Sequence, residues 1–223
     1  MAITLVQSNE GVSALATTSP SFSGSPASGN LVVLCFASDD YNGTPDAGWT
    51  QSTGMEQQVF HGGYLWWRIS AGANPPGAYT IGTATVSAWI LMEFSGLSAT
   101  PYDISNGQSI NGTASSYTTP SIIPTSGSRL LVAMLGASDS TDLSGVTITG
   151  WTNSLTSIRD SGTSAGATDD FVGTAWRLVT GDGVTGFSTG GTYTGTTDVE
   201  SRSGLIIAFK EAAGDTFLGQ ACL

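Results

Sequence analysis

The sequence predicts an all-β protein, an antiparallel β-sandwich with an internal pseudo-twofold duplication. The strand pattern, the lack of a helical stripe and an internal echo predict it. Short apolar runs alternate with clusters of Gly, Ser, Thr, Asn and Asp, the pattern of strands joined by turns. Val, Ile, Thr, Trp and Tyr dominate those runs, and these residues suit a pleated surface better than a helix. No long segment shows a capped helical stripe. The third observation is an echo. The segment Ser28–Asp39 (SGNLVVLCFASD) returns as Ser126–Asp139 (SGSRLLVAMLGASD). In the same order, Gly48-Trp49-Thr50 answers Gly150-Trp151-Thr152, Trp67-Arg68 answers Trp176-Arg177, and Ile90–Phe94 (ILMEF) answers Leu205–Phe209 (LIIAF). Upstream, Thr18-Ser19-Pro20-Ser21 answers Thr119-Pro120-Ser121. Two copies are too few for a solenoid of stacked repeats.

Taken in order, strands are expected over residues 31–38, 57–60, 64–70, 78–82, 86–94, 116–123, 130–137, 146–149, 152–158, 171–179, 187–194 and 204–210. Pro75-Pro76-Gly77 and Gly181-Asp182-Gly183 follow the Trp-Arg strand of each half and read as tight turns. Residues 1–19 read as an N-terminal arm and 211–223 as a C-terminal tail. Residues 20–210 read as one sandwich of two echoing halves, 20–97 and 119–210, joined by a polar link. Each half has few strands for a core of its own, and no Pro- or charge-rich linker parts them. The runs at 31–36, 90–92, 130–135 and 205–207 are apolar at every position, as in strands covered on both faces. Loops or a neighbouring subunit would have to supply the second cover.

Composition narrows the functions. The 223 residues carry a formal charge of −11, six Lys and Arg against seventeen Asp and Glu. That balance opposes nucleic-acid binding, which rests on phosphate neutralisation, and opposes anionic membrane surfaces. With 39% hydrophobic residues and six tryptophans the chain is globular rather than disordered. The N-terminus shows no basic, apolar signal segment, and no apolar run is long enough to span a bilayer. Cys35 and Cys222 make no disulfide framework, and Cys35 reads as a core residue.

The single histidine, His61, lies in a turn-like Phe60-His61-Gly62-Gly63, and no nucleophile elbow or phosphate loop occurs. No catalytic residue and no cofactor is expected. Asp39, Asp40, Asn42 and Asp46 share one loop, and Asp139 and Asp142 its counterpart. They read as solvated turn acids, with Asp39, Asp40 and Asp46 as weak Ca²⁺ candidates that lack a Ca²⁺-loop spacing. Glu93, whose counterpart is Ala208, reads as a rim or interface glutamate. Trp49, Trp67, Trp151 and Trp176, matched between halves, read as core anchors. Alternation places Tyr64, Trp66 and Arg68 opposite Trp67, as an outward strip. The strip and the unmatched Trp89 are candidates for a subunit interface, for cover by loops, or for stacking a sugar ring.

The ordered pattern of Leu31–Ser38, Gly48-Trp49-Thr50, Trp66-Trp67-Arg68, Ala78-Tyr79-Thr80, Ile90–Gly96, Thr119-Pro120-Ser121, Leu130–Ala137 and Gly150-Trp151-Thr152 resembles a diffuse group of phage-associated β-sandwich virion proteins. The resemblance implies a jelly-roll-like sandwich on the surface of a tailed phage or phage-like particle, as a head decoration, head fibre or tail-associated subunit. It implies a non-enzymatic role and assembly in the host cytoplasm, with capsid or tail proteins as partners and no catalytic residues to transfer. A homo-oligomer is expected, a trimer by analogy, with Phe217, Leu218 and Leu223 of the tail as attachment candidates. The alternative is a carbohydrate-binding module that recognises a host glycan through the outward aromatics.

Overall fold

Hydrogen-bonded register decides how the apolar runs are used. The structure, a computed structural model, describes residues 2–14, 17–38, 43–44, 47–52, 62–73, 79–81, 86–164, 168–196 and 199–213. Their regular elements are all strands. The first half supplies β1 (Thr4–Ser13), β2 (Thr17–Thr18), β3 (Leu31–Ser38), β4 (Gly43–Thr44), β5 (Thr50–Gln51), β6 (Gly62–Ile69), β7 (Tyr79–Ile81) and β8 (Ser87–Ser95). The second supplies β9 (Leu97–Ala114), β10 (Ser116–Thr118), β11 (Gly127–Asp139), β12 (Thr147–Thr149), β13 (Thr156–Gly162), β14 (Asp169–Gly181), β15 (Gly190–Thr194) and β16 (Val199–Glu211).

These strands form antiparallel sheets. The large sheet of the first half runs β1-β8-β3-β6-β5, and a small one runs β2-β7-β4. In the second half the orders are β9-β16-β11-β14-β13 and β10-β15-β12. Adding eight to each strand number of the first half gives the second. Even an irregularity recurs: β1 is bulged between Leu5 and Gln7 where it pairs with Phe94 and Glu93, and β9 is bulged between Tyr102 and Ile104 where it pairs with Phe209 and Ala208.

Two boundaries differ from expectation. Residues 4–13 are no arm; they are edge strand β1, hydrogen-bonded to β8 from Thr4 to Ser13. The polar link is no link; it is β9, paired along β16. Both are edge strands rich in Ser, Asn and Gly, so neither has the apolar run that marks their neighbours. The strand expected at 152–158 forms instead at Thr156–Gly162, and that expected at 116–123 shrinks to β10 plus a bridge from Ile122 to Phe187. The expected strand at 57–60 and the first turn, 75–77, lie outside the described residues.

The two large sheets pack on each other. Alternate residues Leu31, Val33, Cys35, Ile90, Met92 and Phe94 of one sheet form a single buried cluster with Leu130, Val132, Met134, Leu205, Ile207 and Phe209 of the other. Fully burying each such side chain contributes roughly 1.5–3 kcal/mol. The intervening positions face outward and are covered as well. In the second half Tyr117, Ile148 and Tyr193 of the small sheet close over Leu135, Ala137 and Phe171. In the first half Phe22 and Trp49 close over Val32, Leu34, Phe36, Tyr64 and Trp66. The uninterrupted runs are thus explained within one chain: each central strand has the opposite half on one face and its own half's cover on the other. Cys35 is fully buried, and that burial pushes its thiol far above the ordinary range.

The packing is reciprocal. β14 lies against β8 and β3, while β6, its counterpart, lies against β16 and β11. Phe94 meets Trp176 with ring centres 5.7 Å apart and planes at 58°. Phe209, the counterpart of Phe94, meets Trp67, the counterpart of Trp176, at 5.9 Å and 76°. Each half offers the other the same contact, the geometry of an isologous interface. At one edge Arg159 of β13 donates to Ser8 Oγ at 2.9 Å and pairs with Glu10 at 3.2 Å, while Ser161 Oγ donates to the Gly11 carbonyl.

Candidate functional site

Register places Leu65, Trp67 and Ile69 toward the other half and Tyr64 and Trp66 on the opposite face, as alternation requires. That outer face is closed, not open. Trp66 is 1% exposed and Tyr64 2%, their rings stacked at 4.9 Å and 10°, with Phe36 tilted against Trp66 at 5.9 Å. Trp89 is also buried. At the position equivalent to Trp89 the second half has Gly204, where a Cβ would lie 2.5 Å from the Tyr117 ring that fills the space. None of these three aromatic rings is placed to stack on a sugar. The four matched tryptophans, read as core anchors, are only half-buried.

The matched motifs explain one another. Gly48 and Gly150 both adopt positive φ, 97° and 66°, a region that favours glycine, and so turn the following Trp inward. Trp49 then packs on the outer cluster of the first half and Trp151 on that of the second. The Arg of each Trp-Arg pair reaches back to the same loop. Arg68, half-buried, lies over the Trp49 ring at 5.7 Å, and Arg177 donates to the Asn153 carbonyl. Arg68 is therefore a loop clamp and not part of an exposed cationic strip.

Glu93 is buried, not at a rim. It is 1% exposed and accepts from Gln7 Nε2 at 2.6 Å, the Ala27 amide at 2.8 Å and Asn30 Nδ2 at 2.6 Å. It latches the loop before β3 onto the sheet. The second half does the same with Asp103 of β9, which accepts from Arg129 Nε at 2.7 Å, the Thr125 amide at 3.0 Å and Thr125 Oγ1 at 2.7 Å. Burial raises the Asp103 pKa, but Arg129 and Thr125 outweigh it and hold the carboxyl below its ordinary value.

The remaining polar concentration lies where β11 ends. Asp139, Asp169 and Asp170 are all buried, at 5%, 3% and 0% exposure. Asp139, expected to be a solvated turn acid, accepts from the amide and hydroxyl of Thr141, and Asp169 accepts from Thr163 Oγ1. Asp142 is exposed, as a turn acid should be, and hydrogen bonds from Ser144 lower its pKa. One rung crosses four strands: Asn111 of β9 pairs with Ser201 of β16, Ser201 with Ser138 of β11, and Ser138 with Asp170 of β14. Ser138 and Ser201 continue the inward-facing positions of Met134 and Leu205, so this rung closes one end of the central core with oxygens. A cavity of about 280 Å³ opens there, lined by Asn111, Ser138, Thr168, Glu200 and Ser201.

Sequence reading missed Asp103, Arg129, Ser138, Asp170 and Ser201. Its available signal was parity: Ser201 and Ser203 extend the inward series Leu205, Ile207, Phe209 with polar residues. Among the described residues no three His, Cys, Asp or Glu side chains converge as a metal cluster. Asp39, Asp40, Asp46, His61, Phe217, Leu218 and Leu223 lie outside the described residues. No protein-family model, curated protein or solved structure matches the chain.

Proposed function

We propose that this chain is a non-enzymatic structural protein of a tailed phage or phage-like particle, carried on the particle surface as a head decoration, head fibre or tail-associated subunit. The observation that carries the reading is the use made of the residues behind the resemblance. Leu31–Ser38, Gly48-Trp49, Trp66-Trp67-Arg68, Ile90–Phe94, Leu130–Ala137 and Gly150-Trp151 serve packing between sheets or clamp a loop. Their pattern therefore specifies a rigid scaffold rather than a reaction centre. The orders β1-β8-β3-β6 and β9-β16-β11-β14, each with a second three-stranded sheet, support a jelly-roll reading. On this reading the protein is two jelly rolls descended from one duplicated unit and packed through their large sheets. A homo-oligomer, a trimer by analogy, contacts capsid or tail proteins through the C-terminal tail.

The carbohydrate-binding alternative requires an open aromatic ring, and Tyr64, Trp66 and Trp89 are closed. The test is to purify particles from a producing lysate by density gradient and probe them with antibody to this chain under the electron microscope. Labelling at regular positions on heads or tails is expected. Recovery of the protein only in the soluble fraction, with unlabelled particles, would refute the proposal.

A further inference from the structure

We propose that a cavity where β11 begins, at the other end of that strand from its serine rung, seats the chain's own C-terminal segment, with Phe217 and Leu218 as its apolar anchors. The place is marked by a break in the pseudo-twofold. Ile69 and Leu178 are counterparts, two residues beyond Trp67 and Trp176, and both continue the inward-facing positions of their strands. Ile69 is packed on the central cluster, whereas Leu178 is 46% exposed. The reason lies in the edge strands. From Leu97 to Tyr102 β9 takes five steps to pass two on β16, Glu211 to Phe209, and Tyr102 stacks on Trp67 at 6.1 Å and 4°. β1 pairs Thr4 and Leu5 one for one with Ser95 and Phe94, carries no such insertion, and has Leu5 in the place of Tyr102. The first half thus brings less material over Trp176 and Leu178 than the second brings over Trp67 and Ile69. A cavity of about 280 Å³ opens there, lined among others by Ile3, Arg129, Leu178, Thr180 and Glu211.

Position and size select the occupant. Small-molecule pockets run from roughly 300 to 1,000 Å³, so this one is too small for most ligands and suits one or two side chains. Glu211, the last residue of β16, lines it, so the segment that follows starts at its wall. That segment holds an apolar pair, Phe217-Leu218, six residues past Glu211. Six residues reach at most about 20 Å, and Gly214-Asp215 between them are turn-forming types that let the chain double back. Seating the pair removes its apolar surface from water and covers Leu178 at the same time. The inference concerns the free subunit and stands apart from the particle assignment: attachment through the tail would begin with its release from this seat.

The experiment exposes the full chain to a low dose of chymotrypsin and follows cleavage after Phe217 and Leu218 by mass spectrometry. Cleavage tracks the population of the released form, so Leu178→Asp should lose its tail roughly tenfold faster than the parent protein. Thr180→Phe, which fills the cavity from its wall, should do the same, and Leu178→Met should retain the parent's protection. Leu178 and Thr180 are both exposed, so all three variants should keep the parent's circular dichroism and Tm. Equal cleavage in the parent, Leu178→Asp and Thr180→Phe overturns the inference. So does protection that grows over a tenfold rise in protein concentration together with a larger sedimenting species, because the seat then holds the tail of a second copy. Neither result bears on the particle assignment, which the labelling of purified particles decides.

Discussion

If the two halves share one core through reciprocal ring contacts, their couplings should be measurable and equal. Phe94 and Phe209 are fully buried, and each meets a tryptophan of the opposite half at nearly the same distance, 5.7 and 5.9 Å. Leucine at these positions retains most apolar filling and removes the ring, so Phe94→Leu, Trp176→Leu, Phe209→Leu and Trp67→Leu should each cost about 1–2 kcal/mol. An aromatic pair contributes about 0.5–1.5 kcal/mol beyond area burial. The Phe94/Trp176 and Phe209/Trp67 double-mutant cycles should therefore each return about 1 kcal/mol of coupling. A control cycle pairs Phe94 with Trp67, which share a sheet without ring contact, and should be additive within roughly 0.5 kcal/mol. The assay is urea unfolding followed by circular dichroism, with differences taken from midpoints at a common m-value. Coupling absent from both cross-half cycles would refute the shared core. So would parent unfolding in two separable transitions, because two-state analysis then fails.

Other expectations follow from the same contacts. Trp66→Ala should cost roughly 3–5 kcal/mol, at least as much as Trp67→Ala, in chemical denaturation of the isolated protein; a smaller loss at Trp66 would mean its cover is not formed. Glu93→Ala should destabilise by about 1–3 kcal/mol by stranding the Ala27 amide and Asn30 side chain, and proteolysis within residues 19–30 should accelerate. Burial of Asp160, with the Glu10 carboxylate adding to it and the Ile148 amide opposing, pushes its pKa up to about 6. The folded state then binds the proton more tightly than the unfolded one, so this group's contribution falls as pH rises from about 4 to about 6. Asp160→Asn should accordingly raise Tm at pH 7 more than at pH 4, and an equal change at both would reject the assignment.

The central strands were legible because they are apolar at every position, and the echo identified their counterparts. Their flanks were not. β1 and β9 hold edge positions with polar, Gly-containing sequences, and only the hydrogen bonds to β8 and β16 reveal them as strands. Alternation put Trp66 and Trp67 on opposite faces correctly. It could not say that both faces are covered, because burial depends on which segment folds over a strand. Trp66 is deep because Phe22 and Trp49 close over its cluster, and neither is adjacent to it in sequence. The candidate site was hidden for a related reason. Serines in a strand read as solvent-facing, and only the register of four strands brings Asn111, Ser201, Ser138 and Asp170 onto one rung.

The loop latch shows what an internal echo can and cannot transmit. Glu93 has Ala208 as its counterpart, which in sequence looks like the loss of a function from one half. In space nothing is lost, because both halves need an acceptor at the same place. The loop entering β3 or β11 turns a backbone amide, Ala27 or Thr125, toward the large sheet, where a carboxylate accepts from it. The first half supplies the carboxylate from β8, with Gln7 and Asn30 as its other donors. The second supplies it from the bulged residue of β9, Asp103, and places Arg129 where the first half has Asn30. An acid facing neutral donors and an acid facing a guanidinium should respond differently to charge. Removing Asp103 leaves a buried Arg129, 6% exposed, without its ion-pair partner, whereas removing Glu93 strands only neutral groups. Asp103→Ala should therefore be the more damaging of the two, by roughly 1–2 kcal/mol in urea unfolding. Its penalty should shrink below about pH 4, where protonation releases the depressed Asp103 carboxyl in the parent protein as well. Equal losses at neutral pH would mean that the latch, and not the charge it holds, sets the cost.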